Sequence, residues 1–581
     1  MNISPTLQLA QQEWQRFSGG KAVFNIVPEL PSFEILRQNG EWIFNAPTDV
    51  ELLYAVYDCA ERFLGYDFFE PGTEDFDPDA VCKNVPDGVL VPAKKVRIRR
   101  CGFIQEFPFE TQKTIDIFDF MVKNKLNYLL VWMKYYDELS DELKQFAAVR
   151  GIIIESGHHN FEYLIPQEKY GASHPEYFAV RGDADVKGIP GISSAIRQLC
   201  TSEPGLRQEI ARQLLAYKRK NPEITRIGLN PNDGYGWCEC PRCSSYYQED
   251  DHRKFHIFSS DKRYFYAEKA YDGFIAEVAG HVHREAPELT VNFFAYVNYS
   301  SPAPGFRLTS GISVQLANYW RCVNHDLFDP ACPTNRGFLN DLLAWERAKA
   351  GGELMLYEYF AGINFNMSLP LFFWKRLFDE FVYYHEHQVD GVLTQMRPGH
   401  WSVYGSNYRM MAAAARGEDF ESTMNRFYER RFGKYADEAR QFYKQAGKIV
   451  DSLNDCHIPT PASLFCRIKT GQLEKLLPSA RRLARKLPDI RPAADLEIWV
   501  KYLIRFKKLY DREMARTVTA AELKQFITWC RRQKKRLVLE LPHINRYMGI
   551  WLEDVKANRP YRLFDIDWRA EFARRRNAAV R

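Results

Sequence analysis

The chain is predicted to fold as an α/β protein: a (β/α)8 TIM barrel, with a small α/β domain before it and a helical domain after it. Three observations predict this. Between about residues 96 and 407, eight strand-like apolar runs alternate with helical patterns, the count for a closed barrel. Residues 1–95 mix short strands with one amphipathic helix. From 408 to 581 the periodicity is helical, with no convincing strand.

In the first segment, Phe24-Asn-Ile-Val and Glu41-Trp-Ile-Phe read as strands. Asp49 to Leu64 reads as a helix, because Leu52, Leu53, Val56, Tyr57 and Ala60 share one face. A stretch rich in Pro and Asp, running through Pro92, reads as the linker to the barrel. The eight barrel strands are expected at Ile98–Ile104, Tyr128–Trp132, Gly151–Ile154, Arg226–Leu229, Leu289–Tyr296, Ile312–Leu316, Glu353–Tyr357 and Val389–Thr394. Helices are expected between most of them, such as Thr111–Lys123, Leu206–Lys218, Tyr264–His283, Gly337–Ala350 and Leu371–His387. The last segment carries helical patterns at Phe420–Phe432, Lys434–Leu453, Leu473–Leu487, Ala494–Met514 and Ala520–Leu541.

Bulk composition narrows the function classes. At 581 residues, length alone suggests roughly three to four domains, although a barrel takes half the chain as one unit. Hydrophobic residues at 46% and charged residues at 26% describe a soluble globular protein. Aromatics reach 14%, which suits carbohydrate stacking as well as a large core. The net charge of +5 is near neutral for this size. Basic runs such as Arg531–Arg536 and Arg574–Arg576 read as a solvated helix face or tail, since no nucleic-acid motif accompanies them. The N-terminus has no basic segment followed by an apolar core, and no membrane-spanning run is present. The cytoplasm is therefore the expected compartment. The scattered cysteines do not suggest a disulfide scaffold.

The ends of the expected strands carry the chemistry. The run from Ile227 to Cys243 turns from an apolar strand into Asn230, Asn232, Asp233 and two glycines, which puts polar groups where a barrel has its mouth. Strand three ends in Glu155-Ser-Gly-His158-His159-Asn160. Strand five leads to Tyr296, and strand six ends in Asn318, Tyr319, Trp320 and Arg321. Strand seven ends in Tyr357 and Glu358, and strand eight in Gln395 and Arg397, with Trp401 following.

Carboxylates, amides, paired histidines and aromatic platforms at one mouth suit glycoside cleavage. That reaction needs a proton donor to the leaving oxygen and a second group opposite it: a nucleophile, a base for water, or a stabiliser of an assisting substrate amide. Asp233, Glu358 and His158 are the catalytic candidates. His159, Asn160, Asn230, Asn232, Tyr296, Asn318, Trp320, Arg321, Tyr357, Arg397 and Trp401 are the substrate-binding candidates. Plain structural readings stand beside these. Glu358 is also a candidate rim ion-pair partner, Asp233 a loop cap, the tryptophans core residues, and the arginines surface pairs or binders of an acidic sugar. Cys238, Cys240 and Cys243 are read as packed thiols or a loop brace ahead of a metal site, because no fourth ligand is evident. No metal and no cofactor is assigned.

Four segments resemble the domain-of-unknown-function family 4838, a glycoside-hydrolase-like barrel group related to α-glucuronidases and family-20 hexosaminidases. They are Tyr54–Gly65, Lys123–Asn127, Gly157-His158-His159 with His174–Phe178 downstream, and Pro231–Gly234 with its following cysteines. The resemblance covers roughly residues 20 to 450. It implies glycan hydrolysis, with relatives that include endo-β-N-acetylglucosaminidases, and a related barrel in inverting sialidases. It also places Asp233 and Glu358 on acidic sites of this barrel type, and His158 on its third-strand histidine loop. Two departures stand out. Family-20 enzymes carry an Asp-Glu pair where this chain reads Asn232-Asp233-Gly234, and many relatives carry a glutamate at strand eight where this chain reads Thr394-Gln395-Met396. The expected function is hydrolysis of glycans containing N-acetylated amino sugars. The alternatives are an exo-hydrolase of acidic sugars, sialidase- or glucuronidase-like, or a non-hydrolytic carbohydrate-binding barrel. The expected partner is an oligosaccharide or glycoconjugate, with neither nucleic acid nor membrane; a homo-oligomer is left open.

Overall fold

Eight parallel strands close on themselves in a computed structural model of the chain. They are β1 (Arg100–Gln105), β2 (Tyr128–Trp132), β3 (Ile153–Gly157), β4 (Arg226–Gly228), β5 (Thr290–Ala295), β6 (Ile312–Ala317), β7 (Glu353–Glu358) and β8 (Gly391–Gln395). Closure is direct: β8 pairs with β1, with Gly391 opposite Arg100 and Gln395 opposite Ile104. The structure describes residues 3–105, 110–180, 198–233, 237–249, 265–296, 299–319, 321–322, 324–360, 368, 372–397, 399, 401–451, 465 and 467–561.

All eight strands overlap the apolar runs, and β3 starts two residues later and ends three residues later than expected. Their residues are buried on both faces, inside against the barrel core and outside against helices, so each strand reads as a nearly continuous hydrophobic run. The covering helices include Thr111–Lys123, Pro204–Lys220, Glu268–His283, Pro333–Ala348, Trp374–Glu386 and Trp401–Arg416. The last of these completes the barrel and runs through position 407.

The first segment holds more strand than its sequence suggests. A four-stranded sheet has the spatial order Ala22–Ile26, Glu41–Ala46, Glu34–Gln38, Gly88–Val91. Gly88–Val91 pairs antiparallel with Glu34–Gln38, so the stretch read as a linker supplies an edge strand. The helix Asp49–Phe63, capped by the Thr48 side chain, and the helix Pro5–Ser18, capped by Ser4, pack onto this sheet. Lys125 beside β2 meets Asp58 of that helix at 2.8 Å, a buried pair that ties the segment to the barrel.

After the barrel come the helices Phe420–Phe432, Ala436–Asp451, Leu477–Lys486, Leu496–Met514, Ala520–Arg532 and Leu541–Lys556. The pattern read as one helix to Leu541 stops at Arg532, and a new helix starts at Leu541 with Pro542 in its first turn, where proline is tolerated. The connection between them is anchored on the barrel: Ser402 N donates to Leu537 O at 2.8 Å, and Ser368 Oγ donates to Val538 O at 2.5 Å. This connection reaches the C-terminal ends of the strands. No helix among the described residues is long and apolar enough to cross a membrane.

Candidate active site

The site grows from a close approach of two backbones. A Cβ on Gly157, at the end of β3, would fall 2.6 Å from the Cα of Gly228 at the end of β4. Only glycines let these strands meet so tightly. His158 follows in the left-handed region, with φ of 60°. That turn lays its ring against Trp132, with centroids 4.4 Å apart and planes 21° from parallel. His158 Nε2 lies 3.4 Å from the Tyr357 hydroxyl, which also accepts from Gln395 Nε2 at 3.1 Å.

His159 stands edge-on to His158, with ring centroids 4.8 Å apart. Its Nδ1 is 2.5 Å from the carbonyl oxygen of Pro231. A carbonyl only accepts, so Nδ1 carries the proton and donates. Nε2 is thereby turned toward Asp233 Oδ1, 3.9 Å away. A proton arriving at Nε2 makes an imidazolium beside a carboxylate, an arrangement that stabilises the charged ring.

These groups face a cavity of about 760 Å³ at the C-terminal ends of the strands. Trp132, Phe294, Tyr296, Tyr319, Tyr357 and Tyr359 line it, together with Gln105, Gln395 and Arg397. Tyr357 and Tyr359 are stacked at 5.0 Å, and Tyr319 meets Tyr359 edge-on at 5.1 Å. The opposite wall is built by Lys534, Arg536, Leu537, Leu539, Glu540 and Arg546 from the C-terminal connection, with Glu110 and Lys113 nearer β1. Glu540 accepts from Gly399 N at 2.8 Å; burial raises its carboxyl above the usual range, and Arg397 opposes that rise.

One layer below the cavity, the barrel interior is polar. Glu155 lies fully buried on β3 and accepts from Tyr128 Oη at 2.5 Å, Asn292 Nδ2 at 2.8 Å and Gln315 Nε2 at 2.9 Å. Burial pushes its carboxyl up to about 7, against the pull of these donors and of Arg226.

The structure brings together Asp233, His158, His159, Tyr296, Tyr357 and Arg397 from the sequence-predicted set. It places Glu358 elsewhere. Tyr357 points inward, so Glu358, the next residue, points out of the barrel toward the helix Trp374–Glu386. There its Oε1 accepts from Asn318 Nδ2 at 3.0 Å, Arg321 Nη1 at 2.9 Å and Tyr384 Oη at 2.9 Å. Arg321 also binds Glu380. Glu358, Asn318 and Arg321 thus form a buried network behind the sheet, and none of them lines the cavity. Burial raises the Glu358 carboxyl and Arg321 opposes the rise, in a network that does not face the cavity.

Three asparagines serve the scaffold. Asn160 donates to Gly228 O at 2.6 Å and accepts from Asn230 N at 2.8 Å. Asn230 Oδ1 accepts from Phe294 N at 2.6 Å, and Asn232 Oδ1 from Glu162 N at 3.0 Å. They brace the ends of β3, β4 and β5 rather than lining the cavity. Trp401 is 3% exposed and packs on Phe120 and Tyr408, as a core residue. Trp320 lies outside the described residues, as do Glu106, His252, Asn298 and His400.

Sequence reading missed the wall from Lys534 to Arg546. No periodicity marks a segment that begins 139 residues beyond the end of β8 as part of a barrel mouth. Outside the cavity, two groups of side chains among the described residues lie close enough together to hold a metal: Cys200, Cys238, Cys240 and Cys243, and the trio Cys322, His325 and Cys332.

The same architecture occurs in known glycoside hydrolases. A GH138 enzyme targeting pectin rhamnogalacturonan II matches with a TM-score of 0.55 at 10% identity, over 96% of this chain and 74% of that one. A family 89 glycoside hydrolase from Clostridium perfringens matches in two complexes. With GlcNAc-α-1,4-galactose the TM-score is 0.55 at 10% identity, over 90% of this chain and 64% of that one. With PUGNAc it is 0.56 at 10% identity, over 99% and 74%. At such identities the likeness is one of fold. A comparison with curated proteins found no match. A comparison with protein families matched residues 84–444, well over half of the chain, to one described as a domain of unknown function. The chain therefore belongs to the family DUF4838.

Proposed function

We propose that the chain is a glycoside hydrolase acting on glycans that contain N-acetylated amino sugars. The observation that carries this reading is the Asp233–His159 pair at the lip of a saccharide-sized, aromatic-walled cavity. Trp132, Tyr319 and Tyr359 offer ring faces and edges to the apolar faces of a sugar. Asp233, 43% exposed, is placed to exchange a proton with a leaving oxygen, and His159 beside it is placed to relay that proton.

Among the described residues, the carboxylates lining the cavity are Asp233, Glu110 and Glu540; Asp233 and Glu110 each lie five residues beyond a barrel strand, and Asp233 is the one beside the His159 ring. A 2-acetamido group lessens the need for a protein nucleophile, because its carbonyl attacks the anomeric carbon from within the substrate. The C. perfringens family 89 enzyme, whose fold this chain shares, binds GlcNAc-α-1,4-galactose.

A second reading follows from charge. Lys113, Arg397, Lys534, Arg536 and Arg546 all line the cavity, a set suited to the carboxylate of a sialoside or uronide. Aryl glycosides of N-acetylglucosamine, sialic acid and glucuronic acid separate the two. Release from the first, abolished by Asp233→Ala, supports the proposal; release only from an acidic sugar supports the second reading. Tight sugar binding without turnover on a wide glycan panel would leave a carbohydrate-binding barrel.

A further inference from the structure

We propose that Cys200, Cys238, Cys240 and Cys243 form a closed structural metal site, occupied by zinc. The short spacing of the last three leaves the fourth ligand open, and the fold supplies it. Cys200 comes from the connection after β3, 40 residues before Cys240, and meets the connection after β4. All four sulfurs lie within 4.8 Å of one another.

The separations fit a metal better than any bond between sulfurs. Cys200 Sγ is 3.8 Å from Cys240 Sγ and 3.8 Å from Cys243 Sγ. A tetrahedron with zinc–sulfur bonds of about 2.3 Å has sulfur–sulfur edges of about 3.8 Å. A disulfide needs about 2.05 Å, and all four cysteines are free.

Polar groups meet these sulfurs. Cys240-Pro-Arg-Cys243 makes a single turn in which Cys243 N–H points at Cys240 Sγ, 3.5 Å away. Val180 N–H donates to Cys238 Sγ at 3.3 Å, and the Ser202 hydroxyl lies 3.1 Å from Cys243 Sγ. The two N–H donors orient the sulfurs they meet. Soft sulfur donors select zinc, copper(I) or iron over magnesium and calcium. Four protein ligands leave no position for water, so the site is structural.

The mechanical role follows from the topology. Among the described residues, the cysteines cluster with Ala179 and with Tyr247, which also packs against the barrel core. A metal held by ligands from both connections would staple them together. The staple would sit five residues beyond Asp233, beside the Gln198–Asn232 contact that joins the same two connections. The metal thus acts as a brace for the carboxylate at the cavity lip and takes no part in bond cleavage.

The test is metal analysis of the full chain, purified without a histidine tag and without added metal. We expect zinc on the wild-type chain, falling by about one equivalent in Cys200→Ser and in Cys243→Ser. On the wild-type protein, which does not depend on variants folding, a thiol reagent should reach four more cysteines once a chelator has removed the metal. Metal below about a tenth of an equivalent overturns the site, as do disulfides found among these four cysteines by mass spectrometry. Iron at one equivalent overturns zinc as the occupant.

Discussion

Arg321 Nη1 and Glu358 Oε1 lie 2.9 Å apart, fully behind the sheet that walls the cavity, and Glu380 and Tyr384 complete the enclosure. Removing the single cation leaves two carboxylates buried together. Arg321→Met should cost about 3–5 kcal/mol of stability. Glu358→Gln keeps the Arg321–Glu380 pair and should cost less, about 1–3 kcal/mol. Denaturant unfolding measures both. Glycoside turnover of folded Glu358→Gln should stay within about threefold of wild type; a large loss of turnover at unchanged stability would return Glu358 to the catalytic set.

Asp233 and His159 should behave as one unit. Asp233→Asn and His159→Ala should each lower kcat by about 10²-fold or more, the usual worth of positioned acid–base catalysis. The double variant should lose little beyond the worse single one, because each residue acts through the other. Fully additive losses would show that the two act separately.

Trp132 and Trp401 should separate binding from folding. Trp132 is half-buried, stacks on His158 and lines the cavity, so Trp132→Ala should raise KM about fivefold with little change in Tm. Trp401 is enclosed by Phe103, Phe120 and Tyr408. Trp401→Ala should cost about 3–5 kcal/mol and leave the KM of the folded fraction unchanged. Kinetics and thermal melts on the two variants decide.

Glu155 links stability to pH. Its carboxyl titrates at about 7 in the folded chain against 4.5 for an ordinary glutamate, so between those values the folded state holds a proton that the unfolded state has released. Stability contributed by the neutral form is present below the unfolded value and is lost as pH rises through the window. At about 1.4 kcal/mol per unit, the loss is about 3 kcal/mol between pH 4.5 and 7. Glu155→Gln should flatten this part of the stability profile; identical slopes in variant and wild type would count against the assignment.

Much of the fold was legible along the chain. Tyr128–Trp132 and Thr111–Lys123 have the bounds their patterns predict, because a buried barrel strand is an unbroken apolar run and a covering helix shows one apolar stripe. The Gly157-His158-His159 turn and Asp233 were legible for a related reason. Polar groups placed immediately after an apolar strand are unusual, and in a barrel that position is the mouth.

Facing was not legible. On a strand covered on both sides, polarity does not tell inside from outside, so Tyr357 and Glu358 look equally suited to the cavity although alternate residues must diverge. Asn318 and Arg321 follow β6 and Trp401 opens a helix, and sequence alone does not say which way residues just past a strand turn. Nor does local pattern carry encounters between distant segments. The wall around Glu540 and the meeting of Cys200 with Cys243 arise when the chain closes long loops, and each partner carries no mark of the other until those loops are packed. Periodicity is a property of neighbours and so was readable in one dimension; the orientation of a side chain and the company it keeps belong to the closed barrel.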